Sequence, residues 1–133
     1  MNWEYITGFF DADGSVTIAK NGKGRHRSPQ ISFHNNELDI LLAIQSFILK
    51  ELSVKGHISK KKKAKEHHGQ QYDLKYVNFP KCILILKKIN TLHFKKKKRF
   101  NIIEKLYLLT PRNGKYTQNL IDQKNILETE FFT

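Results

Sequence analysis

Two carboxylates one residue apart, Asp11 and Asp13, stand where a short apolar run gives way to Gly14. Trp3 to Phe10 has the make-up of a short helix. Its C-terminal end carries the negative pole of the helix dipole, so acids there are destabilising unless a cation is close. Their oxygens are hard donors of the kind Mg²⁺ takes. Gly8 lies inside the same helix, where glycine costs about 1 kcal/mol relative to alanine. Its best use is to let another backbone approach closely. Asp-x-Asp-Gly strings are common in turns, so the carboxylates alone identify nothing. Other reactive types are less well placed, and no Ser-His-Asp or Cys-His arrangement stands out along the chain. His67 and His68 fall in a lysine-rich turn and should be solvated, and Cys82 falls in an apolar run and should be core.

The partner is suggested by charge. The 133 residues carry 24 Lys and Arg against 12 Asp and Glu, a net charge of +12. An excess of that size on a chain apolar enough to fold calls for a polyanion, nucleic acid before an anionic membrane. The basic residues are bunched at Lys20 to Arg27, Lys60 to Lys65 and Lys95 to Arg99. The runs Lys60 to Lys65 and Lys95 to Arg99 read as turn-like and Gly-flanked, which is not the pattern of a membrane-surface helix. No apolar stretch approaches the roughly 20 residues that span a bilayer. Met1 to Tyr5 has no basic region before an apolar run, so no secretory leader is expected. A single cysteine leaves no internal disulfide framework.

The elements that must position these residues follow from periodicity. One α+β domain over residues 1–133 is expected, with a motif helix over 3–13 and a helical tail over 117–133. Ser15 to Lys20 and Pro29 to His34 alternate apolar and polar, and Asn21-Gly22-Lys23-Gly24 marks a turn between them, so they form a hairpin. Glu37 to Leu52 reads as a helix with Asn36 as N-cap and Leu38, Leu41, Leu42, Ile48, Leu49 and Leu52 on its apolar face. Gly56 to Lys60 and Gln71 to Val77 form a second hairpin. Pro80 opens a helix to about Ile89, and another runs from about Lys96 to Leu109 before Pro111. Four such strands make one twisted antiparallel sheet with helices over one face.

The uncovered face is polar. Val16, Ile18, Ile31 and Phe33 should be buried, leaving Ser15, Thr17, Ala19, Gln30, Ser32 and His34 outside. In the second hairpin Ile58, Tyr72, Leu74 and Tyr76 should be buried, opposite His57, Ser59, Lys61, Gln71, Asp73 and Lys75. Such side chains can hydrogen-bond base edges, and a β-ribbon fits the DNA major groove. Arg25 and Arg27, at the tip of the first hairpin, join them as expected DNA contacts. Any half-buried sheet has a polar outer face; the charge pattern is what favours DNA.

The nine residues Ile6-Thr7-Gly8-Phe9-Phe10-Asp11-Ala12-Asp13-Gly14 resemble the signature of the LAGLIDADG homing endonucleases. Thr7 stands where the family name has Ala, and Phe9 and Phe10 replace Leu and Ile. The family's order of helix, two strands, helix, two strands and helices is the order read here, so the resemblance spans roughly Trp3 to Leu109. It implies the αββαββα fold with DNA on the open sheet face. It also implies roles for particular residues. Asp13 would be the metal-binding carboxylate, with the Ala12 backbone carbonyl near the metal. Asp11 would help to end the helix. Asn35, or its neighbour Asn36, would be the polar residue after the second strand that orients water. Lys96, four residues before Phe100, would be the lysine near the reacting phosphate, with Lys95, Lys97 and Lys98 beside it as alternatives.

The implied activity is site-specific cleavage of double-stranded DNA at a long, roughly palindromic target, leaving cohesive ends. Mg²⁺ is the implied cofactor, Mn²⁺ would substitute, and Ca²⁺ would bind without supporting cleavage. One copy of the motif implies a homodimer, with Trp3, Ile6, Thr7, Gly8 and Phe10 at its interface. The alternatives are a DNA-binding regulator that has lost catalysis and an RNA maturase that assists intron splicing. The family context implies an intron-encoded, intracellular protein of an organelle or an archaeal cytoplasm, and the Lys, Asn and Ile usage suits an AT-rich coding sequence.

Overall fold

The computed structural model describes residues 1–20, 26–61, 69–111 and 113–133. Its element order is α1 (Trp3–Asp13), β1 (Gly14–Lys20), β2 (Arg27–Asn35), α2 (Leu38–Leu52), β3 (His57–Lys60), β4 (Tyr72–Val77), α3 (Phe79–Leu86), α4 (Phe94–Leu109) and α5 (Gln118–Phe131). Hairpins β1–β2 and β3–β4 join through an antiparallel β2–β4 pairing into a four-stranded sheet of order β1-β2-β4-β3. The fold is α+β, as expected. Among the described residues no helix is long and apolar enough to cross a membrane.

Strand parity decides the core. Val16, Ile18, Ile31, Phe33, Leu74 and Tyr76 are buried on one face of the sheet, against Ile6 and Phe10 of α1, Leu41, Ile44 and Ile48 of α2, Cys82 and Ile85 of α3 and Phe100 and Ile103 of α4. Cys82 is core, as its apolar run implied; its thiol lies within hydrogen-bond reach of the Tyr76 and Pro29 carbonyls, and burial pushes its pKa up to about 12. The α2 face differs from expectation. Leu42 and Leu49 are exposed, and the buried stripe is Leu41, Ile44 and Ile48. With so many leucines on this helix, more than one stripe satisfies a 3.6-residue period, and docking selects among them.

Helix ends follow local side-chain chemistry. Asn2 caps α1 by accepting from the Tyr5 N–H at 2.8 Å, Asn78 caps α3 from Lys81, and Thr117 caps α5 from Leu120. Asn36 does not cap α2. Glu37 holds that position without a side-chain bond, while the Asn35 side-chain oxygen accepts from the Glu37 N–H at 2.8 Å. Asp11 does not end α1 either, because the helix continues through Asp13. At Gly14 the backbone is already extended (φ −106°, ψ 163°), so β1 follows α1 directly. A Cβ on Gly14 would lie 2.7 Å from the Phe10 carbonyl oxygen and 2.8 Å from its Cα. Glycine is needed there for space rather than for a left-handed conformation.

Candidate active site and nucleic-acid interface

The end of α1 is held by a lysine from α4, 86 residues away in sequence. Lys96 Nζ donates to the Phe10 carbonyl at 2.8 Å and the Asp11 carbonyl at 3.1 Å, and lies 4.9 Å from the Phe10 ring centroid. This is a cation at the negative pole of a helix, where two acids also sit. Partial burial lowers the Lys96 pKa from its ordinary value, and the charges of Asp11 and Asp13 draw it back up. The run Lys95 to Arg99 is the first part of helix α4 and not the turn expected of it, because Phe100 and Ile103 dock it on the core, and it does not act as a block. Lys95, Lys97 and Lys98 are exposed, whereas Arg99 turns inward, donating to the Val16 carbonyl at 3.1 Å over the Phe131 ring.

The two acids have different partners. Asp11 accepts from the Thr91 hydroxyl and, at 3.1 Å, from the Leu92 N–H, tying α1 to the segment between α3 and α4. Asp13 is exposed, and one of its oxygens lies 3.5 Å from the Asn35 Nδ2 of β2. Asp13, Asn35 and Lys96 therefore gather at one end of α1, beside the start of the open sheet face. Asn35 is fixed from both ends, its oxygen on Glu37 and its nitrogen toward Asp13.

A divalent ion fits the donor chemistry here. Asp13 offers hard carboxylate oxygens open to solvent, and the Ala12 carbonyl belongs to the same exposed end of the helix. Among the described residues no group of three or more His, Cys, Asp or Glu surrounds such a position. Water, phosphate and a second chain are sources that could complete the coordination.

On the open face, Ser15, Ser32, Lys75 and His57 form one cross-strand row, Thr17 and Gln30 a second, and His34, Asp73 and Ser59 a third. Ala19 lies further out along β1, and Lys61 closes the second hairpin by donating its N–H to the Gln71 carbonyl at 2.8 Å. Three of the expected DNA contacts need correction. Ser32 and Asp73 face this way but are only 5% and 4% exposed, enclosed by their neighbours. Arg27 has the parity of Pro29, Ile31 and Phe33 and lies on the helical side, 3.6 Å from Glu128 and over the Phe132 ring. That parity and the helical tail were both readable in the sequence; the docking of α5 onto Arg27 was not. Arg25 and the basic turn from Lys62 to Lys65, with His67 and His68, lie outside the described residues.

The expected dimer surface also changes. Ile6 and Phe10 are fully buried in the protomer's own core, and Trp3 packs edge-on against Phe47. Gly8 is exposed with nothing within 4 Å of where its Cβ would lie. Tyr5, Gly8 and Ala12 make an exposed stripe at helical spacing, with Thr7 half-buried beside it.

Sequence reasoning missed two arrangements. The Asp11–Thr91–Leu92 tie joins residues 80 apart and has no local signal. A chain from Ser15 through His34 to Asp73 crosses β1, β2 and β4, and depends on the β2–β4 register that no single hairpin reveals.

A family model described as a LAGLIDADG-like domain matches residues 2–99. No curated protein matches the sequence. Among solved structures, the homing endonuclease I-TnaI superposes with a TM-score of 0.69 at 17% identity, covering 100% of this chain and 89% of that one. An archaeal intron-encoded homing endonuclease complexed with DNA gives a TM-score of 0.67 at 24% identity, covering 98% and 81%. The homing endonuclease I-CvuI, in complex with a DNA target in the presence of Mg, gives 0.65 at 20% identity, covering 98% and 79%. These similarities show a shared fold. With the motif, the αββαββ order and a family match over most of its length, the chain belongs to the LAGLIDADG-like family.

Proposed function

We propose that the protein is a site-specific, divalent-metal-dependent endonuclease that cuts both strands of a long, roughly palindromic DNA site as a homodimer and leaves cohesive ends. The observation that carries this reading is the meeting of Asp13, Asn35 and Lys96 at the border of the polar sheet face. When bound, a hard divalent ion such as Mg²⁺ supplies a water acidic enough to attack near neutral pH and offsets charge on the leaving oxygen. The chain's own residues do the rest. Asp13 holds the ion, with the Ala12 carbonyl adjacent. Asn35 fixes the Asp13 carboxylate and can direct a water through the same amide. Lys96 adds positive charge beside the reacting phosphate while keeping the end of α1 in place. Mn²⁺ should substitute, and Ca²⁺ should support binding alone.

One cut per protomer requires two protomers for a duplex, and the exposed Tyr5, Gly8 and Ala12 stripe is the surface for a two-fold contact. The test is cleavage selection from a randomised duplex library with Mg²⁺, run beside Asp13→Asn. Cleavage of a recovered site should fall by about a hundredfold or more in the variant, while binding in Ca²⁺ persists. Undiminished cleavage by Asp13→Asn would refute the assignment. Binding without cleavage by the unaltered protein would identify a regulator instead, and stimulation of intron splicing without cutting would identify a maturase.

A further inference from the structure

A polar chain of defined direction crosses the open face. Asp73, 4% exposed, places Oδ1 at 2.5 Å from His34 Nδ1, and His34 Nε2 lies 3.0 Å from the Ser15 hydroxyl. An ionised carboxylate only accepts, so Nδ1 must carry a proton and donate it to Asp73. In a neutral imidazole Nε2 is then bare and accepts. The one hydroxyl proton of Ser15 goes to Nε2, and what Ser15 can turn toward the open face is a lone pair. The same order of residues activates serine nucleophiles, but that chemistry needs a pocket with donors for an oxyanion. None of the described cavities is lined by Ser15, His34 or Asp73.

A lone pair cannot bond a phosphate oxygen, which also only accepts. It can accept from an exocyclic amine. In the major groove those amines are N6 of adenine and N4 of cytosine, whereas thymine and guanine present O4 and O6. We infer that the Ser15–His34–Asp73 chain makes Ser15 a fixed hydrogen-bond acceptor that selects adenine or cytosine over guanine or thymine on the strand it touches. This rests on the reading that the open face binds duplex DNA. Asp73, although buried, thus acts on specificity by setting the polarity of a side chain two strands away.

The test is binding selection in Ca²⁺ at about pH 8, from duplexes randomised over about two helical turns, followed by sequencing of the bound fraction. The unaltered protein should enrich adenine plus cytosine about five- to tenfold over guanine plus thymine at one position of each half-site. Ser15→Ala should erase that preference and leave the other positions unchanged, and Ser15→Thr should keep it. Asp73→Asn, whose amide can either donate to Nδ1 or accept from it, should relax it toward parity. Retention of the full preference by Asp73→Asn, or guanine plus thymine at the position sensitive to Ser15→Ala, overturns the inference. Should Asp73→Asn fail to fold, the Ser15→Ala and Ser15→Thr pair still decides. Enrichment elsewhere with no position sensitive to Ser15→Ala overturns this inference alone. No enrichment anywhere removes the DNA reading and this inference with it.

Discussion

Asp11 and Asp13 share a helix turn but have separate duties, and substitution should separate them. Asp11 accepts from Thr91 and Leu92, so Asp11→Ala should lower stability by about 1–2 kcal/mol, read by urea denaturation, through the loss of charge-assisted bonds. Among the described residues Asp13 has one long hydrogen bond, from Asn35, and a charge interaction with Lys96, so Asp13→Asn should leave the denaturation midpoint nearly unchanged. Lys96 gives a pH signature. Desolvation holds its folded pKa below that of an unfolded lysine, against the pull of Asp11 and Asp13. Between the two values the unfolded chain binds more protons, so stability rises with pH there. The stability of the unaltered protein relative to Lys96→Met should therefore climb as pH is raised from neutral toward the ordinary lysine value. A flat difference would mean that the ammonium is not desolvated. The family resemblance pointed to Lys96 by counting four residues back from Phe100, which is buried, and left Lys95, Lys97 and Lys98 as alternatives that spacing alone does not separate.

At the scale of elements, the two glycines of the motif should respond oppositely. Gly14→Ala forces a Cβ against the Phe10 carbonyl and Cα, and should cost roughly 1–3 kcal/mol by denaturation. Gly8→Ala meets nothing in the protomer and should stabilise α1 by up to about 1 kcal/mol. If Gly8 lies at a close two-fold contact, the same variant should weaken the dimer in sedimentation, and a gain in stability with an unchanged dimer would remove Gly8 from the interface. Strand alternation made Val16, Ile18, Ile31 and Phe33 legible as core, since period two leaves one choice of face. It failed for α2, where Leu42 and Leu49 fit the helical period yet face solvent. The pairing of His34 with Asp73 was out of reach, because strand periodicity says nothing about which strands lie side by side or in which register.

For the whole molecule, the charge of +12 is unequally available to a polyanion. Arg27 is engaged by Glu128 and Phe132, and Arg99 by the Val16 carbonyl and Phe131, whereas Lys61 is exposed at the end of a hairpin. DNA affinity should fall steeply with salt, and Lys61→Gln should reduce the slope of log affinity against log salt by about one unit per protomer, about two for a bound dimer. Arg27→Gln should leave that slope unchanged, in filter-binding titrations over the same salt range. Composition revealed the total charge, but the docking of α5 and the packing of α4 against α1 and β1 decide which of these cations are already committed.

The direct passage from α1 into β1 makes the protein a ruler. No loop separates Asp13 from the first outward-facing residue, Ser15, so under the proposed function the spacing between the cut and the nearest base contact would be set by the backbone itself, at about 3.3 Å per residue. There is no slack to retune. One residue inserted at this joint would exchange the two faces of β1, carrying Val16 and Ile18 outward and Ser15 and Thr17 into the core. For an endonuclease of the kind proposed, target preference would then drift through the side chains along the strands, while the interval between the cut and the first base read would stay fixed.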